Sequence, residues 1–166
     1  MRQLSVALLA TALLAFAGGA AAADDVYADG ITRAELMVIL SGYGMSVKDT
    51  TERDSDPWLQ AHTSKGVLFY VNMYDCGGSG QDGQRCSLLQ FQAQWQTAKA
   101  NIKTSDINAY NLKFVFGRAA LSSDGKSVVF DYPMNIKDGV TKGNLKRNVD
   151  NWLRVLDDVR STFKVF

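Results

Sequence analysis

The 166-residue sequence predicts an α+β fold, an antiparallel β-sheet with an N-terminal helix, a short central helix and a long C-terminal helix packed on it. Three observations carry this. Two stretches, 67–95 and 114–136, alternate apolar and polar residues on either side of a glycine-containing turn, as half-buried hairpins do. The segment 141–163 repeats apolar side chains at steps of three and four, which is one face of an amphipathic helix. The order helix, strands, short helix, hairpin, long helix suits helices laid on an antiparallel sheet, not a βαβ repeat.

The first element is a leader. Arg2 precedes the apolar run Leu4–Phe16, and small residues follow up to Asp24. The run is too short for a transmembrane helix, which needs about 20 residues, and Ala21-x-Ala23 offers a cleavage point before Asp24. The expectation is a signal peptide over 1–23, a single domain over 24–166, and a periplasmic or secreted product with no stable membrane insertion after cleavage. Cleavage takes Arg2 from the 18 basic and 17 acidic side chains, so the mature chain has no formal net charge. Without a basic run it lacks the electrostatic footprint of a nucleic-acid binder.

The mature chain opens with a helix over 31–44. Thr32 and Glu35 have capping-box spacing, Leu36, Ile39, Leu40 and Tyr43 share a face, and Gly42 and Gly44 end it. Met37 and Val38 fall off that stripe. The segments 45–52 and 57–63 read as short strands around the turn 53–56.

Cys76 and Cys86 bracket a glycine-rich tip. In an exported chain two cysteines are more often bridged than free. Pairing Cys76 with Cys86 also sets Tyr74 by Leu88, Asn72 by Gln90 and Tyr70 by Gln92. Both apolar sets, Val67 to Met73 and Leu89 to Trp95, then fall on one side, whereas a one-residue slip would split them. The stretch reads as a disulfide across a β-hairpin, with both cysteines on the glutamine face. A redox-responsive pair and a metal or anion site are the alternatives. The spacing is not that of a thioredoxin-type site, the tip has no Walker lysine, and His62 would still leave a zinc site short of a ligand.

Residues 104–112 read as a short helix capped by Thr104 or Ser105. The second hairpin centres on Asp124-Gly125 in a type I′ turn, with Leu121 facing Val128, Ala119 facing Phe130, Gly117 facing Tyr132 and Val115 facing Met134. The same register sets Arg118 opposite Asp131 as an ion pair. The last helix carries Leu145, Val149, Trp152, Leu156, Val159 and Phe163 inward, with Lys146, Asp150, Arg154 and Asp158 on its back.

The blocks "ITRAELMVILSGYG", "DPWLQ", "CSLLQFQAQW", "INAYNLKFVFGRAALSSDG" and "GVTKGNLKRNVDNWL", in this order from about Gly30 to Phe163, resemble the YbjN-domain family. The family pattern has Trp where this chain has Tyr110 before Asn111. The resemblance implies a fold similar to the small dimeric type III secretion chaperones and a role in sensory-transduction regulation. It brings no catalytic residue.

The residues themselves point away from an enzyme. His62, the only histidine, shares a strand face with Trp58 and Gln60, and no GxSxG accompanies it. Asp49, Glu52, Asp54 and Asp56 cluster without the glycine and terminal glutamate of an EF-hand, so a solvated turn is expected and no metal or cofactor. The expected function is a non-catalytic exported module that binds a protein or peptide, in a chaperone-like or adaptor manner, with a homodimer implied by the resemblance. Met37 and Val38, and the hairpin face with Leu68, Tyr70 and Tyr74, are the expected partner surfaces. An envelope hydrolase using His62 and a redox-responsive sensor through Cys76 and Cys86 are the alternatives.

Overall fold

The computed structural model describes residues 25–50, 56–78, 83–96 and 101–165. The expected leader, residues 51–55 with Glu52 and Asp54 of the expected turn, and residues 79–82 of the glycine-rich stretch lie outside the described residues. Six strands, β2 (Ser46–Asp49), β3 (Trp58–His62), β4 (Leu68–Gly77), β5 (Arg85–Gln96), β6 (Arg118–Leu121) and β7 (Ser127–Asn135), form one sheet in the order β2-β3-β4-β5-β7-β6. Every neighbouring pair is antiparallel. A separate ribbon joins β1 (Val26–Tyr27) to β8 (Val140–Thr141), which periodicity does not reveal because two-residue strands have no period.

Among the described residues three helices supply the cover: α1 (Arg33–Ser41), α2 (Thr104–Lys113) and α3 (Lys142–Phe163). The capping box of α1 is present, with Thr32 Oγ1 accepting from the Glu35 N–H and the Glu35 carboxylate accepting from the Thr32 N–H. In α3, Thr141 is the N-cap and accepts from the Asn144 N–H. The α3 stripe is buried in full, and Val155 joins it. Trp152 lies against Phe69 of β4 and Phe91 of β5, ring centroids 5.7 and 5.9 Å apart. The opposite parity of β3, β4 and β5, from Trp58 and Gln60 to Gln90 and Gln92, is half-buried at most. Among the described residues the helices therefore bury one side of the sheet and leave the other open.

The cysteine hairpin has the predicted register, with Tyr70, Asn72, Tyr74 and Cys76 opposite Gln92, Gln90, Leu88 and Cys86. Cys76 and Cys86 are disulfide-bonded. One expectation is corrected: Cys86, assigned to the wet glutamine face, is fully buried. Asp75 has φ 53, in the left-handed region, so regular alternation in β4 stops at Tyr74. Beyond the end of β7 a strap, Gly30–Ile31, takes over the edge of β5. Ile31 and Cys86 exchange both main-chain hydrogen bonds, at 3.0 and 2.9 Å. Gly30 has φ +86 and stands so close to the Cys86 carbonyl that a Cβ would overlap it, so only glycine fits.

The second hairpin keeps its register where β6 exists, with Leu121, Ala119 and Arg118 opposite Val128, Phe130 and Asp131. Its turn differs from the expected type I′: Gly125 has φ +68 but Asp124 is not among the residues with positive φ. The Asp124 carboxylate instead accepts from Ser122 Oγ and from the Lys126 N–H, an Asx-type turn closed by the Gly125 N–H donating to Ser122 O. The pairs Gly117 to Tyr132 and Val115 to Met134 are absent. Gly117, at φ +70, packs its Cα side against Val155 and the Asp131 carbonyl, which redirects the chain, and Val115 points to solvent. The expected Thr104 or Ser105 cap of α2 is also corrected. Lys103 is the N-cap residue, and the Asp106 carboxylate accepts from its N–H at 2.9 Å.

Asn111 closes the β6 edge of the sheet. Its amide donates to Ala119 O at 2.9 Å and accepts from the Ala119 N–H at 2.8 Å, taking the place of a further strand. Ala119 is buried, so Asn111→Ala leaves a main-chain donor and acceptor without partners. We expect a loss of about 1–2 kcal/mol in chemical denaturation, with Asn111→Gln failing to restore it because the longer side chain cannot reproduce the paired geometry.

Candidate functional site

Two surfaces stand out, neither of them an enclosed catalytic pocket. The first is the open sheet face. A continuous cross-strand row runs Lys48, Gln60, Tyr70, Gln92, Asp131, Arg118 over all six strands. Beside it lies a second row, Trp58, Asn72, Gln90, Pro133, and then Tyr74 next to Leu88. The Trp58 and Tyr70 rings pack at 5.6 Å between centroids. Tyr74 Oη donates to Gln90 Oε1 at 3.2 Å, and burial followed by the Asp56 and Asp131 carboxylates pushes the Tyr74 phenol up, which keeps it a donor.

The predicted ion pair is present at the end of the first row. Arg118 binds Asp131 through Nε and Nη2 at 3.0 to 3.2 Å, and the two side chains are 67% and 6% exposed. The pair is asymmetric, so Arg118 covers a carboxylate that the sheet has withdrawn from water.

The second surface was missed by pattern reading. Leu112 and Val115 are 89% and 91% exposed, and Phe116 and Leu121 are partly so. Leu112, Val115 and Phe116 sit where α2 ends and β6 begins, with Phe116 edge-on to Tyr132 at 6.2 Å, and Leu121 ends β6. Tyr132 Oη donates to Asn148 Oδ1 of α3 at 2.6 Å, so the corner is backed by ordered structure. The alternation of Phe114 and Phe116 with Lys113 and Val115 mimics a strand. The available signal was Gly117, which breaks that strand, together with Leu112 lying off the Ile107 and Tyr110 stripe of α2.

Leu68, Tyr70 and Tyr74 share the open face, as expected from parity. Met37 and Val38 are not equivalent. Met37 packs against the core, while Val38 is 73% exposed in a cleft of about 590 Å³ with Val26, Lys142 and Arg85. His62 lies at the end of β3, half-buried, opposite Ser46 and Leu68, and among the described residues its side chain bonds to no hydroxyl or carboxylate. Asp49 is paired with Arg33 at 2.7 Å. No group of three potential metal ligands occurs among the described residues.

Comparison with known families decides the kinship. The family model of YbjN, described as "Putative bacterial sensory transduction regulator", matches residues 32–164. The chain belongs to the YbjN family. Among solved structures it is similar to that of YbjN from E. coli, titled a "putative transcription regulator", at 15% identity and a TM-score of 0.47, over 76% of this chain and 89% of that one. No curated protein matches it. The family match spans all three helices and the six-stranded sheet. Tyr110 and Asn111, in the block "NAYN" that carries the sequence resemblance, have separate structural duties. Tyr110 packs within 5.5 Å of the Phe114, Phe130 and Phe163 rings, and Asn111 seals β6.

Proposed function

We propose that this YbjN-family chain is an exported, non-catalytic regulatory module that works by binding a protein or peptide in the bacterial cell envelope, with the α2–β6 corner as its contact surface. The observation that carries the reading is the apolar corner itself. Leu112 and Val115 are almost fully exposed beside Phe116, on a segment anchored by Gly117 and Tyr132. Contiguous exposed apolar side chains on an ordered scaffold mark interaction sites. Export is supported by the leader over 1–23 and by the Cys76–Cys86 bridge, which suits an oxidising compartment. The homodimer implied by the family resemblance is the simplest arrangement that would cover the corner.

A photo-crosslinking amino acid replacing Leu112 tests this in living cells. The expected result is one discrete adduct from the envelope fraction, either a second copy of the chain or a single other protein, identified by mass spectrometry. The adduct is lost on Phe116→Asp. Reaction with solvent alone, or adducts confined to the cytoplasm, would overturn the proposal. The same probe at Val38 reports whether the cleft on α1 takes part.

A further inference from the structure

The open sheet face carries a chemistry different from that of the corner, and we infer that it is a binding site for an uncharged glycan chain. The central strands β3, β4 and β5 present Trp58, Tyr70 and Tyr74 together with Gln60, Asn72, Gln90, Gln92 and Gln94. None of these is charged. The charged members of the long row stand towards its two ends, Lys48 on one edge strand and Arg118 on the other, with Arg118 neutralised by Asp131. A ligand lying over the centre meets three aromatic rings among five amides, with the Asp56 carboxylate acting on Tyr74 at one end.

A sugar ring fits that combination. It has an apolar C–H face, which packs on aromatic rings, and a rim of hydroxyl or acetamido groups. Those rim groups need partners able both to donate and to accept. A primary amide does both at once. Among the described residues Gln60, Asn72, Gln92 and Gln94 spend no side-chain hydrogen bond on the protein, so their capacity is available. The amides recur with the sheet's own spacings, about 4.8 Å across strands and about 7 Å along β5, which suits an extended, repeating ligand on a flat face. An enclosed pocket is not required; at one end of the face Tyr70 and Gln94 border an open cleft of about 520 Å³.

The same features disfavour the rival occupants. Single-stranded nucleic acid also stacks on aromatics, but it needs cations for its phosphates; β3, β4 and β5 contribute none to the two rows, and Arg118 is already paired with Asp131. The fully buried core of a protein contact is more apolar than the rest of the surface, whereas here amides outnumber the rings. An apolar surface is already supplied at the corner. The inference rests on the open face alone and is independent of the contact proposed for Leu112 and Val115.

Titration of the purified, disulfide-intact chain with chitohexaose, an uncharged hexamer of N-acetylglucosamine, tests it by calorimetry and by tryptophan emission. Saturable binding in the millimolar range or tighter is expected. Tyr70→Ala should weaken it by about tenfold or more. Gln92→Leu, a surface change of similar size that leaves folding intact, should weaken it too, and Leu112→Asp should not. Absence of saturable binding to both chitohexaose and cellohexaose, binding that neither Tyr70→Ala nor Gln92→Leu reduces, or binding of an oligothymidylate in their place would overturn the assignment.

Discussion

Trp152→Ala should be the most damaging single core substitution in this chain, lowering stability by about 3–5 kcal/mol. The indole is fully buried at the centre of α3, and its ring faces Phe69 and Phe91, which belong to the two strands of the disulfide hairpin. No other side chain of α3 makes ring contact with both. Truncation opens a cavity between a helix and a sheet that are each held by other contacts, so neither can collapse to fill it. Domains of this size are stable by only about 5–15 kcal/mol, so the variant should be marginal at 37 °C. Trp152→Phe is the informative control. The indole Nε1 is buried without a hydrogen-bond partner among the described residues, so phenylalanine removes an unsatisfied donor while keeping most of the apolar volume. Urea denaturation should show a midpoint shift less than half that of Trp152→Ala, with the slope unchanged. Equal losses in the two variants would mean that the donor is satisfied and that the ring is held by more than packing.

That prediction was within reach of the sequence, because Trp152 stands in a stripe whose period is unambiguous and whose polar back is charged. The disulfide hairpin was equally legible. Its register followed from requiring two alternating apolar sets and two cysteines to agree. Where reading failed, the deciding contact was tertiary. Val115 alternates with Phe114 and Phe116 as a strand residue would, yet Gly117 against Val155 of α3 turns the chain before a strand can form. Cys86 has the parity of a wet residue and is buried because the Gly30–Ile31 strap, 55 residues away in the sequence, lies on its main chain. The exposed surfaces divide in the same way. That Leu68, Tyr70 and Tyr74 share one face followed from parity alone, but its openness depends on no helix among the described residues covering that side. Val115 was hidden because a local pattern gave it an inward role that the α2–β6 junction denies.

Loss of the Cys76–Cys86 bond, in Cys76→Ala/Cys86→Ala or by reduction to two thiols, should cost about 3 kcal/mol, the chain-entropy value for a closed loop of roughly eleven residues. For a domain of this length the melting temperature should fall by about 10 °C. The position of the bridge gives the loss a direction. Cys86 holds Ile31 through two main-chain hydrogen bonds, and its neighbour Arg85 reaches back to Gly30 O at 2.8 Å and to the Glu35 carboxylate at 3.2 Å. Glu35 in turn closes the capping box on Thr32, and although burial opposes it, the Thr32 and Arg85 contacts hold its carboxyl below the usual range. Loosening β5 at Cys86 therefore loosens the strap and the first turn of α1, not only the glycine-rich tip. Hydrogen exchange can separate the two outcomes. In the reduced chain the Ile31 amide, which donates to Cys86, and the Leu36 amide, which donates to Thr32, should exchange faster by more than the global loss explains. Phe91, paired with Tyr132 at the centre of the sheet, should change only as global stability does. If Ile31 keeps its excess protection after reduction, the strap is anchored by Arg85 and the β1–β8 ribbon instead, and Arg85→Ala in the oxidised chain should then release it.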